Sequence, residues 1–151
     1  MSRWQLGAAE IDRLLEEAAL QRVSGGEADG TAWVAKARRT VATARAIAPD
    51  DPESAFVLGC DAARYACTAL LVHQGLRPTS RGGHYAVEQA LRAQFGDVFR
   101  AFGALRRRRN QLEYPAYPGE HVALAEVEST MSHVAAIIEA AARLLPEVGV
   151  F

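Results

Sequence analysis

This chain of 151 residues predicts an all-α fold, an up-and-down bundle of about five to six helices, and three observations lead there. Alanine, leucine, arginine and glutamate, all strong helix formers, dominate it. No stretch alternates apolar and polar residues as a half-buried strand does. Apolar residues instead recur at spacings of three and four between breaks rich in glycine and proline.

The first helix is predicted from about Trp4 to Val23, with Ile11, Leu14, Leu15 and Ala18 on one face and Ser24-Gly25-Gly26 as its end. A polar loop to Gly30 follows. Thr31 is suited to cap a second helix carrying Trp33, Ala37, Val41 and Ala44. Pro49-Asp50-Asp51-Pro52 breaks the chain; Asp51 caps a third helix with Pro52 at its first position. This third helix, Pro52 to Gln74, is apolar nearly all round, which suits the middle of a bundle. Gly75 ends it. A fourth helix is expected from His84 to Phe95, ended by Gly96, and a fifth from an Asp97 cap to Tyr114. Pro115 and Pro118 bracket a short extended turn. The sixth helix, about Glu120 to Leu145, carries Leu124, Val127, Met131, Val134, Ile138, Ala141 and Leu145 in alternating steps of three and four. That heptad seam packs helices at about 20°. It suits either the chain's own core, with the third and fifth helices, or a second chain.

Length suits one domain, 1–151, with 1–50 supplying N-terminal helices and 52–145 the core bundle. Half of the residues are hydrophobic, enough for a core without disulfide staples. The net charge of -1 excludes a nucleic-acid footprint spread over the whole chain, so any affinity for phosphate must come from local clustering. Lys36 is the sole lysine; the other basic side chains are arginines. Cys60 and Cys67, seven apart, lie roughly 10 Å apart along a helix, too far to bridge. They read as buried free thiols of a cytoplasmic protein. The start of the chain lacks the pattern of a signal peptide, and no apolar run is expected to reach the roughly 18 residues of a membrane span. His73, His84, His121 and His133 have no metal-ligand spacing, and no phosphate loop or nucleophile motif is present. No metal and no cofactor are expected.

The densest information lies in Arg106-Arg107-Arg108-Arg109-Asn110-Gln111-Leu112-Glu113-Tyr114, just before Pro115. At about 100° per residue, four consecutive arginines fan around most of a helix. Some must meet a carboxylate, a phosphate or a partner. Arg106 to Arg108, with Arg100, can form a basic stripe or stand partly solvated. Arg109 can clamp a phosphate in a bidentate fork or pair with a buried acid. Tyr114 can stack on a base or pack on the sixth helix. Asp61, inside the apolar third helix, needs a cation, either Arg64 three residues on or an arginine of the fifth helix.

The order of Ala63-Arg64-Tyr65-Ala66, Gly75-Leu76-Arg77-Pro78, Gly83-His84 and a helix ending in Arg109-Asn110-Gln111-Leu112-Glu113-Tyr114 resembles the HEPN superfamily, over about residues 55–145. The resemblance is to the branch whose late helix ends in Arg-x4-Tyr. It implies a helical bundle, a homodimer, and RNA binding or cleavage in a toxin–antitoxin, defence or stress context, often beside a nucleotidyltransferase partner. In cutting members a histidine follows the arginine by four to six residues and an acid on the central helix orients that arginine. Arg109 and Asn110 match the opening of that motif, Asp61 matches the acid, and Tyr114 stands at the histidine position. Tyrosine titrates near 10 and histidine near 6.5, so Arg109 and Tyr114 suit binding better than turnover. His84 is the one histidine placed to stand in.

Three functions follow as expectations. The leading one is an RNA- or nucleotide-binding module using Arg64, Arg106, Arg108, Arg109, Asn110 and Tyr114 without efficient catalysis. The second is a metal-independent endoribonuclease using Arg109, Tyr114 and Asp61. The third is a protein-interaction adaptor with no ligand.

Overall fold

The longest helix, α3 (Pro52–His73), is the axis on which the others pack. Its sequence dictates this: thirteen of its residues are buried, from Ala55 to Val72, on every face. Asp51 caps it by accepting from the Ser54 N–H at 3.1 Å, with Pro52 at the first position, as the sequence predicts. The computed structural model describes residues 3–151.

The remaining helices are α1 (Ala8–Glu16), α2 (Gly30–Ile47), α4 (Gly83–Phe95), α5 (Arg100–Glu113) and α6 (Leu124–Leu144). The all-α bundle is therefore as predicted. Its centre is not. The most extensive packing is α2 along α3, followed by α6 on α3; α5 lies more peripherally. Val34, Ala37, Val41 and Ala44 put one face of α2 into the same core as Phe56, Leu70 and Ile138. Gly30 lets the start of α2 lie against the Ala69 carbonyl, where a Cβ would collide.

α6 settles where its seam points. Val127, Met131, Val134, Ile138, Ala141 and Leu145 are all buried within the chain, and only Leu124 at the helix start is exposed. Met131 fills the space above Gly59 of α3.

Two expectations are corrected. The first helix stops at Glu16 because Ala18 turns left-handed (φ 59°), and the Ala19 N–H bonds back to the Leu14 carbonyl. Residues 20–22 then form β1 (Leu20–Arg22), which pairs antiparallel with β2 (Leu76–Pro78), Leu20 opposite Pro78 and Arg22 opposite Leu76. Three-residue strands are too short for alternation to be visible. Second, α3 is long and apolar enough to cross a membrane by length and composition, against the expected absence of such a run. In its most apolar stretch 72% of the residues are buried inside the protein, the pattern of a core helix.

Boundaries shift for local reasons. Asp29, rather than Thr31, caps α2 by accepting from the Thr31 N–H at 2.9 Å. A 3-10 turn, Gly96–Phe99, precedes α5, so Asp97 does not cap it. Residues 114–123 are turn and coil, and α6 starts four residues later than the apolar pattern suggests.

Candidate functional site

The ribbon of β1 and β2 positions the site. It brings the turn after α1 against the segment leading into α4. Thr79 clamps the two: its N–H donates to the Ala19 carbonyl at 3.0 Å and its hydroxyl to the Ala18 carbonyl at 2.6 Å. The Thr79 hydroxyl also accepts from the Gly82 N–H at 3.2 Å. Gly82 lies so close to the Ala19 carbonyl that a Cβ would overlap it, and Gly83 is left-handed (φ 51°). This backbone turns α4 so that its first residues face α5.

Between the two runs an open groove holding about 440 Å³. Gly82, Gly83, His84 and Tyr85 line one wall; Arg106, Arg109, Asn110 and Glu113 line the other. The first turn of α4 has no side-chain cap; the Thr79 carbonyl takes the Gly83 N–H at 2.8 Å, which leaves the His84 and Tyr85 N–H groups and the positive end of the helix dipole at the rim. The Arg106 guanidinium carbon lies 5.8 Å from the Tyr85 ring centre.

Arg109 is fixed at the base of this groove. Its Nη1 donates to Asp61 Oδ1 at 2.6 Å and its Nε to Glu113 Oε1 at 3.3 Å. The first contact crosses from α5 to α3, the pairing the sequence left open for Asp61. Arg64 lies 3.7 Å from the same Asp61 oxygen, so both alternatives are realised on one carboxylate. Burial alone would lower the Arg109 pKa; the bonds and charges of Asp61 and Glu113 outweigh it and hold the group firmly protonated. His84, half-buried, is pushed below the ordinary histidine value by burial first, then by the charges of Arg64 and Arg109, against the pull of Asp61. It is therefore neutral at pH 7.

The other arginines have carboxylates as well. Arg108 is bidentate on Glu126 (2.7 and 3.2 Å), bonds Glu120 at 3.1 Å and reaches the His121 carbonyl at 3.2 Å. It ties the end of α5 to the start of α6 and does not line the groove. Glu88, buried on α4, accepts from Arg106 Nε at 2.8 Å and pairs with Arg92 and Arg107 at 3.3 and 3.6 Å. Gly103 makes room for that carboxylate, whose oxygen a Cβ would strike. Tyr114, just past α5, is 76% exposed and does not line the groove either. Arg100 is exposed on the first turn of α5 and is likewise no part of it.

Of the sequence candidates, the structure thus brings Arg106, Arg109, Asn110, Asp61 and Arg64 together, with His84, and leaves Arg108 and Tyr114 out. Tyr85, Glu88, Glu120 and Glu126 were missed. Glu88 had a signal, a lone acid among Ala86, Val87, Ala90 and Leu91; for the others, nothing local marks the partner. Cys60 and Cys67 are free and buried, with burial pushing the Cys60 thiol up to about 12 and Cys67 upward too. Neither is a nucleophile near neutral pH. Comparison with protein-family models, with curated proteins and with solved structures gives no match.

Proposed function

We propose that this chain is a HEPN-like cytoplasmic module that binds RNA or a nucleotide through a phosphate seated in the α4–α5 groove. One observation carries the reading: Arg109, Asn110, His84, Arg106 and the uncapped start of α4 converge on a single open groove. Guanidinium, amide and helix-end N–H groups are the donors that hold phosphate oxygens. Asp61 holds Nη1 of Arg109 and Glu113 its Nε, which leaves Nη2 for a phosphate. The HEPN-like Arg109-Asn110 motif and the Asp61–Arg109 bond support the same reading. With it come a homodimer, a toxin–antitoxin, defence or stress role, and a nucleotidyltransferase-type partner protein as the expected setting.

The test is fluorescence polarisation of a labelled single-stranded RNA against wild type, Arg109→Ala and Arg108→Ala in low salt. Arg109→Ala should weaken binding at least about tenfold, the value of one charge-assisted contact. Arg108→Ala should leave affinity within about twofold in the folded fraction. Equal affinity of wild type and Arg109→Ala would sink the proposal, and no binding by either would leave the adaptor reading.

A second reading, a metal-independent endoribonuclease, is favoured by His84 alone. A neutral imidazole beside Arg109 can take the proton of a 2′-hydroxyl as that oxygen attacks phosphorus. The resulting imidazolium, or water, returns a proton to the departing 5′-oxygen. In EDTA, cleavage abolished by both His84→Gln and Arg109→Ala but retained in Tyr114→Phe would establish it; intact RNA with wild type would exclude it.

A further inference from the structure

Beyond the groove's lining, contacts continue from Arg109 to Asp61 on α3. That carboxylate begins a stripe in which Asp61, Arg64 and Tyr65 stand at i, i+3 and i+4, on one helix face. Arg64 reaches Asp61 at 3.7 Å, and its guanidinium carbon lies 4.7 Å from the Tyr65 ring centre. Across the seam with α2, Trp33 meets Tyr65 with ring centres 5.8 Å apart and planes tilted by 52°. Lys36, three residues after Trp33, holds its ammonium 4.3 Å from the Tyr65 centre and 5.3 Å from that of Trp33.

Trp33 and Tyr65 pack at the edge of the α2–α3 core rather than inside it. Val34, Ala37, Val41 and Ala44 already bury the shared face. The two aromatic rings are half-buried and Lys36 is exposed. The arginines of α5 from Arg106 to Arg109 each have a carboxylate within 4 Å. Lys36, the sole lysine, instead rests on two rings, and among the described residues it forms no ion pair. Arg64 Nε is buried with no acceptor, so this guanidinium too is short of partners. Two clusters of cation on aromatic ring, Arg106 with Tyr85 and Lys36 and Arg64 with Tyr65 and Trp33, are thus linked through Asp61 and Arg109.

We infer that the Trp33–Tyr65 strip is a base-stacking platform, and that the groove's ligand is a single-stranded RNA chain rather than a mononucleotide. The inference rests on the RNA reading of the groove and extends it. Aromatic rings beside a phosphate-binding groove are how single strands are held without reading their sequence, because every base has a π-face. A base arriving on the rings displaces the exposed Lys36 ammonium, which then pairs with the neighbouring phosphate. Each stacked base is worth roughly 5- to 150-fold in affinity.

The test uses Trp33 as its own reporter. In a Trp4→Phe background Trp33 is the only tryptophan, since the chain has two. Its fluorescence is followed during titration with a short oligo(A), with AMP and with inorganic phosphate. Oligo(A) should quench Trp33 and bind at least about tenfold more tightly than AMP. Trp33→Ala and Trp33→Phe lack the reporter and are read by polarisation of a labelled oligo(A) with AMP as competitor: the first should remove most of that advantage and the second should restore it. Lys36→Gln, at an exposed position that does not threaten folding, should weaken oligo(A) several-fold and leave phosphate unaffected. If oligo(A) and AMP bind alike, and Trp33→Ala and Lys36→Gln change neither while Arg109→Ala abolishes both, the platform is wrong and the groove stands. If wild type binds none of the three probes, the groove reading and the platform fall together.

Discussion

Asp61 holds two guanidiniums on one carboxylate oxygen, Arg109 at 2.6 Å and Arg64 at 3.7 Å, at side-chain exposures near one fifth to one quarter. The two ends of this triad are unequal. Removing Arg109 leaves Asp61 with Arg64; removing Asp61 leaves two half-buried cations facing each other. Asp61→Ala should therefore cost about 2–3 kcal/mol in urea unfolding and Arg109→Ala only about 1 kcal/mol. The reverse order would mean that Asp61 does not organise the site. His84 is the second residue whose environment makes a measurable statement. Its folded pKa lies below the unfolded value near 6.5, so between those two values the unfolded chain binds a proton that the folded chain does not. Its contribution to stability is full above about pH 6.5 and is lost as pH falls through that window. NMR titration should place His84 below 6.5, and bound RNA should raise it, because a phosphate offsets the charges of Arg64 and Arg109. A His84 value at or above 6.5 in the free protein would mean that Asp61 outweighs burial and the arginine charges, contrary to the arrangement described.

At the scale of elements, α6 shows how one pattern serves two structures until packing decides. A heptad seam fits a dimer as well as a core. Here Val127, Met131, Val134, Ile138 and Ala141 are buried against the chain's own helices, with Met131 over Gly59. Met131→Asp should thus place an unpaired carboxylate in the core, at about 3–5 kcal/mol, and lower helicity and Tm together. A variant that stays fully helical with only a change in mass by light scattering would instead put the seam at an interface. Any dimer of this chain must use another face. The short ribbon of β1 and β2 carries weight beyond its size, because it and the Thr79 clamp set the direction from which α4 presents His84 to α5.

For the whole molecule the charge balance matters more than the arginine count. The net charge is -1, and Arg106 to Arg109 are each matched by Asp61, Glu88, Glu120 or Glu126. Binding to RNA should therefore release few counterions. If Arg106, Arg109 and Lys36 supply the phosphate contacts, log K against log salt should fall with a slope of roughly -2. A slope steeper than about -4 would require Arg100, Arg107 and Arg108 to join, with Glu88 releasing Arg107 and Glu120 and Glu126 releasing Arg108. Distant parts of the chain are closed by a buried polar network: Gln74 and Gln94 exchange amide bonds at 2.7 and 3.0 Å, Trp4 donates to Gln94 at 2.9 Å, and the Gln74 carbonyl accepts from the Phe151 N–H at 3.2 Å.

Local chemistry alone determined the helices with strong periodicity and good caps. Asp51-Pro52 starts α3, Gly96 ends α4, and the apolar set of α6 from Val127 to Ala141 is buried. These signals act within a few residues, where capping and period operate. The sequence also marked Arg109, Asn110 and Asp61, because a buried charge announces its need for a partner. Which partner answers is decided only in three dimensions. Arg108 and Arg109 are neighbours, yet one is turned to Glu120 and Glu126 and the other to Asp61 and the groove, since adjacent helical residues point about 100° apart. Tyr114 stays outside because α5 ends one residue before it. The pairing of residues 20–22 with 76–78 and the meeting of Trp33 and Lys36 with Tyr65 join segments about thirty or more residues apart. No spacing rule reaches that far; the packing of α2 and α4 around α3 does.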